Sequence, residues 1–255
     1  MNPPIVVAYG MGVDSTAMLI GMCHREIKPD LILFADTGSE KPETYAYLPV
    51  IQQWLAKVGF PPVTVVKYRP KPAKYTTLEE NCLINKTLPS LAFGRKACSL
   101  KWKRQPQDRY CNNWQPAKDC WDSGLKVIKA IGYDTSPRDS RRAHHIGDDA
   151  KYTYVYYLRE WGWDREECKR VITAEGLPLP MKSACWFCPA SQPEEIEWLI
   201  AHHPDLAQRI VTMENNATNN LKVIEGLLRK STKKRPGSMA MFISGKLHLR
   251  VVEAA

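Results

Sequence analysis

The sequence predicts an α/β protein with a doubly wound, mainly parallel sheet, continued by a mostly helical C-terminal extension. Two observations predict it. Short β-branched runs alternate with stretches of helical length and pattern through the first half of the chain. Glycine and polar residues stand where three of those runs end, at Gly10, Asp36 and Gly132. In such sheets ligands bind beyond the C-terminal strand ends, near a switch in strand order, so these three ends are candidates for one shared site.

The elements follow in order. Ile5–Ala8 reads as a buried strand, then a glycine loop, then a helix from Ser15 to Arg25. "DLILFADTG" is a second strand running into a polar end, Lys41–Lys57 a helix, and "PVTVVKY" a third strand. The segment from Tyr75 to Trp121 reads as helices with long connections. "GLKVIKAIGY" supplies a later strand, and the aromatic stretch Tyr152–Leu158 another. From Asp164 the pattern is helical, interrupted by "GLPLPMKSACWFCPA" and resuming over Pro193–Leu228. Ser231–Ser238 reads as an exposed link to a weak final hairpin. The expected division is a nucleotide-binding α/β domain over 1–160 and a helical region over 161–255, which carries a Cys-x-x-Cys pair and a basic tail.

At 255 residues, 44% hydrophobic and 25% charged, the chain is long enough for a packed core. No window has the ~18 consecutive apolar residues of a membrane span. The apolar N-terminal run lacks a preceding basic segment, so a cytoplasmic protein is expected. A net charge of +9 suggests polyanionic partners, with solubility alone as the plain alternative. The basic residues gather in Arg95–Arg109, Arg138–Arg142 and Arg229–Arg235. Eight cysteines in such a compartment are expected to be reduced, most of them as small buried groups.

In "YGMGVDSTAML", Gly10 and Gly12 allow a tight turn, while Ser15 and Thr16 fall in the first helical turn. The free N–H groups and dipole of a helix N-terminus suit an anion. The pattern is neither a Walker loop nor GxGxxG. Asp14 either caps the helix or faces a phosphate-bound metal. In "FADTGSEKPETYAYL", Asp36 sits at a strand end where it can bind Mg²⁺, bind a ribose hydroxyl, or act as a cap.

Together these stretches resemble the phosphoadenosine phosphosulfate (PAPS) reductase-like branch of the N-type ATP pyrophosphatases, the PP-loop superfamily. "YGMGVDS" resembles its SGGxDS pyrophosphate loop. "CSLKWKRQP", "IGYDTSPRDSRRA" and "KSACWFCP" resemble its basic substrate segment, its glycine-containing strand-end motif and a cysteine pair found in many members. The resemblance spans residues 5 to about 190. It implies a Rossmann-like sheet in which Ala8, Tyr9, Gly10, Met11, Gly12, Val13, Asp14, Ser15 and Thr16 surround the ATP phosphates. Adenosine would lie near Ala35, Asp36, Thr37, Gly38, Gly132, Tyr133 and Arg141. Asp14, Asp36, Lys101, Lys103 and Arg104 become the candidate catalytic residues.

Three departures mark this chain. The family's serine and first glycine fall on Gly10 and Met11. The acidic residue after the second glycine-containing strand falls on Asp134, Asp139 or Ser140. True sulfonucleotide reductases attack sulfur with a cysteine in a C-terminal tail, and here the last cysteine is Cys188.

Cys185 and Cys188 have the spacing of metal, cluster or redox chemistry but supply only half a site. The resemblance brings Cys98 to them as the third ligand of a 4Fe–4S cluster with one open iron. Alternatively Cys82, Cys111, Cys120 or His144 completes four-ligand binding of Zn²⁺ or a cluster, and a metal-free reduced pair is the plain reading. The expected activity is AMP- and pyrophosphate-forming activation of a substrate with ATP and Mg²⁺, the substrate being a nucleic acid that is modified or thiolated. The alternatives are a sulfonucleotide (PAPS or APS) reductase or sulfotransferase-like enzyme, and a nucleotide- or nucleic-acid-binding protein without catalysis. Expected partners are an adenine nucleotide, a nucleic acid and a sulfur-donor protein, without a membrane; a homo-oligomer is compatible with the sequence.

Overall fold

A computed structural model describes residues 2–71, 74–95, 97–233 and 235–253. Lys96 and Lys234, from two of the basic runs, lie outside them. In chain order the elements are β1 (Ile5–Ala8), α1 (Val13–His24), β2 (Leu31–Asp36), α2 (Pro42–Lys57), β3 (Val63–Lys67) and α3 (Leu78–Ile84). Next come α4 (Ala97–Ser99), a π-helical turn over Leu100–Arg104, α5 (Gln105–Cys111), α6 (Gln115–Asp122), β4 (Val127–Ile131) and α7 (Pro137–His144). The chain ends with β5 (Tyr152–Val155), α8 (Tyr157–Glu160), α9 (Arg165–Ala174), α10 (Pro193–His202), α11 (Pro204–Ala217) and α12 (Met239–Glu253).

Contacts divide the chain into two compact units. Unit 1 comprises 1–36, 40–67 and 104–183; unit 2 comprises 37–39, 68–103 and 184–255. The division is interleaved along the chain.

Unit 1 holds all five strands in the order β3-β2-β1-β4-β5, every neighbouring pair parallel. This is the Rossmann-like α/β arrangement that the strand–helix alternation predicts. β2 is buried along its whole length, as expected for a strand covered on both faces. Side chains alternate: Val7, Ile32 and Phe34 enter one core with α1, α2 and α9, whereas Val6, Leu33 and Ala35 enter a second core with Cys111, Ala117 and Cys120. After β3 the chain returns to pair β4 with β1, so the order reverses between those two strands. A ligand crevice is expected at their C-terminal ends.

Unit 2 is helical among its described residues. Its core gathers Leu78, Trp102, Trp186, Phe187 and apolar residues of α10, α11 and α12. The expected final hairpin is instead the helix α12. Ser238 starts it, its Oγ accepting from Met241 N at 3.0 Å. The buried carboxylate of Glu214 in α11 accepts from Leu227 N, Met239 N at 3.0 Å and Ala240 N at 2.9 Å, and from the Ser238 hydroxyl. Side chain–backbone bonding to a distant glutamate thus satisfies the helix start, where strand pairing was expected. No helix is long and apolar enough to cross a membrane among the described residues.

Candidate functional site

The loop Gly10–Gly12 follows β1 and opens α1. Its shape is set from inside: the Ser15 hydroxyl accepts from Gly10 N at 3.2 Å and Gly12 N at 3.4 Å, and donates to Gly12 O at 3.1 Å. Met11 adopts a left-handed backbone, φ 60°, and is fully buried in the core. Met11 therefore holds a conformation that glycine adopts most readily, and its buried side chain anchors the loop. Thr16 is buried and bonds Tyr9 across 3.0 Å, so both support the loop from behind and do not face its mouth. The N–H groups of Val13, Asp14 and Ser15 have no acceptor among the described residues. They form the open, positive end of α1.

Gly132, just after β4, closes against this helix start. A Cβ there would lie 2.8 Å from Ser15 Cα and 2.9 Å from Ser15 N, so only glycine lets β4 end here. The close approach brings three carboxylates together. One oxygen each of Asp14, Asp134 and Asp139 lies within 4.8 Å of the others, with Asp134 and Asp139 buried. The sequence left Asp134, Asp139 and Ser140 open as the strand-end acid; both aspartates join the group, while Ser140 receives Arg159 Nη1 at 2.6 Å.

Local bonding holds each carboxylate. Asp134 Oδ1 accepts from Ser136 N at 2.9 Å, and Ser136 caps α7. Asp139 pairs with Arg142 at 2.9 Å, and Asp14 with Arg165 at 2.6 Å. Burial raises the Asp14 pKa above the ordinary carboxylate value; Arg165 opposes this, and Asp134 and Asp139 add to it. Three acids facing two guanidiniums leave the cluster short of positive charge. Octahedral Mg²⁺ with oxygens at 2.0–2.1 Å sets them roughly 3–4 Å apart, which this group accommodates.

Sequence reasoning missed Arg142 and Arg165. The signal for Arg142 was its i+3 spacing from Asp139 on one short helix; Arg165 lies 151 residues from its partner and had none. Arg142 covers the Tyr133 ring at 4.4 Å, and Tyr133 stacks on Tyr156 with centroids 5.6 Å apart. Arg141 itself is exposed.

Asp36 ends β2 at the same edge of the sheet. It is buried, pairs with Lys67 at 2.9 Å and accepts from the Tyr45 hydroxyl at 2.7 Å. Ala35 is a core residue. Arg104 bonds Asp108, Asp149 and the Tyr154 hydroxyl, a surface ion network beside β5.

The other predicted residues belong to unit 2. Thr37–Ser39 is bound to α3 and to the cysteine turn: Leu78 N donates to Thr37 O at 3.0 Å, Glu79 N to Ser39 Oγ at 3.2 Å, and Trp186 N to Ser39 O at 3.1 Å. Thr37 Oγ1 lies 3.3 Å from Cys185 Sγ. Gly38, φ 68°, sits where a Cβ would come within 2.5 Å of Thr77. Glu79 pairs with Arg209, whose guanidinium lies 4.9 Å over Trp186, between the two cysteines of the pair. Lys101 stands 5.1 Å from the Tyr68 ring centre and Lys103 is half-buried.

Cys98 and Cys185 pack on the same core. Cys98 N donates to Ser90 Oγ at 2.6 Å, and Cys188 N to Cys185 O at 3.0 Å. The three aspartates are the metal-binding type of group found among the described residues; Cys98, Cys185 and Cys188 do not converge within 4.8 Å. In a cubane each cysteine binds a different iron, which tolerates wider spacing. Of the other ligand candidates, Cys111 and Cys120 are core residues of unit 1, and burial pushes the Cys82 thiol up to about 12. His144 is exposed at the end of α7.

No family model and no curated protein matches the sequence. Among solved structures, the U34-tRNA thiolase NcsA from Methanococcus maripaludis with its 4Fe–4S cluster is similar over 96% of this chain and 81% of that one, at 12% identity and a TM-score of 0.42. The class is set by the sheet itself: a parallel, Rossmann-like α/β unit with an open helix start and an acidic group at its topological switch.

Proposed function

We propose that this chain is a PP-loop enzyme that cleaves ATP between the α and β phosphates and activates a nucleic acid for modification, including thiolation. The carrying observation is the meeting of Asp14, Asp134 and Asp139 beside the open N-terminus of α1. In this reading the N–H groups of Val13, Asp14 and Ser15 hold the pyrophosphate, and the helix dipole stabilises the charge it gains as it leaves. The three aspartates would hold Mg²⁺, which supplies charge neutralisation on the phosphate oxygens. Arg165 and Arg142 fix the carboxylates in place, and Gly132 keeps them close to the phosphate loop. The Tyr133–Tyr156 stack offers a flat surface for the adenine ring.

The net charge of +9 supports a polyanionic acceptor. The PAPS reductase-like label belongs to this proposal through the loop, the basic segment and the cysteine pair. The cysteines are proposed to hold an iron–sulfur cluster in unit 2, supported by Cys98 and Cys185 packing on one core.

The test follows pyrophosphate from labelled ATP, anaerobically, with and without RNA or DNA. Wild-type protein should release pyrophosphate and AMP, and Asp134→Asn should lower the rate at least 100-fold, while Asp205→Asn should not. No pyrophosphate with any nucleic acid, or an unaffected Asp134→Asn, refutes the proposal; sulfite from a sulfonucleotide would redirect it to the reductase class. Iron analysis with a broad absorbance near ~400 nm checks the cluster, and colourless, iron-free protein from anaerobic purification rejects it.

A further inference from the structure

Unit 2 contains a cavity of about 880 Å³ remote in sequence from the phosphate loop, bounded by residues of 78–102 and 223–230. That volume lies in the range of small-molecule sites. Its wall is chemically one-sided. Arg95, Lys101, Arg229 and Lys230 line it, and no carboxylate does among the described residues. Arg95, Lys101 and Arg229 make no salt bridge among the described residues; Lys230 interacts with Glu225. Arg95, Arg229 and Lys230 are exposed, so these charges lie toward solvent. The remaining wall is mostly apolar, with Leu78, Leu88 and Leu228; it includes Cys82 and Cys98, the latter a proposed cluster ligand, and carries neutral hydrogen-bonding groups at Asn81, Thr87 and Ser90.

Arg229 is held there by the backbone. It has φ 75° and Gly94 has φ 78°, and a Cβ on Gly94 would lie 2.7 Å from the Arg229 guanidinium. Arg229 N donates to Gly226 O at 3.0 Å, closing a turn whose Leu227 N–H is bound by the buried Glu214. A non-glycine residue kept in the left-handed region by such fixed surroundings is an expected feature of a ligand site.

We propose that this cavity binds a nucleoside monophosphate, free or as one residue of a single strand. Its phosphate would meet Arg95, Arg229 and Lys230, and its base would enter the apolar part against Asn81 and Thr87. Bare phosphate leaves the apolar wall unfilled, and an apolar ligand leaves the cations without partners. A nucleotide meets both demands with a planar body that carries donors and acceptors. The site goes beyond the ATP reading and does not depend on it.

The experiment footprints lysines in the full-length protein, without ATP, by mild acetylation and mass spectrometry. The added probes are the four 5′-nucleoside monophosphates, a phosphorylated hexanucleotide, or inorganic phosphate. Nucleotide should slow acetylation of Lys101 and Lys230 at least fivefold and leave Lys222 unchanged. Arg95→Glu and Arg229→Glu should each weaken nucleotide binding at least tenfold by calorimetry, the exposed Arg95 serving where the Arg229 turn fails to fold. Protection by mononucleotides supports the free ligand, and protection by the hexanucleotide alone supports the strand. Equal protection by inorganic phosphate, or none by any probe, overturns the proposal. Protein that is protected yet releases no pyrophosphate would overturn the ATP reading alone.

Discussion

Gly132→Ala tests the contact on which the candidate site depends. The added methyl carbon would stand 2.8 Å from Ser15 Cα, 2.9 Å from Ser15 N and 3.1 Å from Asp14 C, all backbone atoms. Ordinary contact begins near 3.4 Å, so β4 and the start of α1 must separate by at least ~0.6 Å; overpacking of this kind costs about 1–3 kcal/mol. A shift approaching 1 Å at a catalytic constellation costs up to about 100-fold in rate. Gly10→Ala is the matched control, because its methyl would meet nothing nearer than Ser15 Oγ at 3.7 Å. Denaturant unfolding and pyrophosphate release are the assays. Gly132→Ala should lose about 1–3 kcal/mol and 10- to 100-fold in rate, with Gly10→Ala close to wild type. Equal behaviour of the two variants would refute the reasoning.

Other expectations concern stability. Met11→Gly relieves a left-handed backbone worth about 1 kcal/mol but removes a fully buried side chain worth about 2–5 kcal/mol, so it should destabilise by about 1–4 kcal/mol in urea unfolding. Glu175 accepts from Trp54 Nε1 at 3.1 Å and meets His24 Nε2 at 3.2 Å; the Trp54 hydrogen bond, then His24, holds its pKa below the usual glutamate value. Its stabilisation is therefore present above the unfolded value of about 4.3 and is lost as pH falls through the folded one. Glu175→Gln should cost about 1–2 kcal/mol at neutral pH and little in acid; a pH-independent cost would refute the assignment. Glu214→Ala strands the donors at 227, 239 and 240 and should cost about 3–5 kcal/mol, read as early loss of protection of those amides in hydrogen exchange.

The sheet was legible because each buried strand is a short β-branched run bounded by polar residues, as "LILFAD" shows for β2. Asp14 was legible as a candidate because it lies just past the second loop glycine, in the first turn of α1. The strand-end acid was not, since Asp134 and Asp139 both fall within one turn of the Ser136 cap and only the chain path shows that both reach Asp14. The role of Met11 was hidden because its type argues against its backbone conformation. α12 went unrecognised, although Ser238 stands at its cap position, because Glu214, which completes that cap, is 24 residues away. Cys-x-x-Cys spacing constrains two thiols; the place of Cys98 depends on the turn at Ser90 and on α3, which no spacing records.

The interleaved units bear on how the protein is made. Three segments of each unit alternate along the chain, so it passes between units five times, once for only the three residues Thr37–Ser39. On the ribosome the sheet stays incomplete until β5 emerges, by which time two segments of unit 2 have already been synthesised without their α10–α12 core. Neither unit has a stop codon's worth of independence: any single truncation that removes unit 2 also discards part of unit 1 or leaves 37–39 and 68–103 without a core. Split or fused versions of this protein should therefore be joined at its surface turns, with both units kept whole.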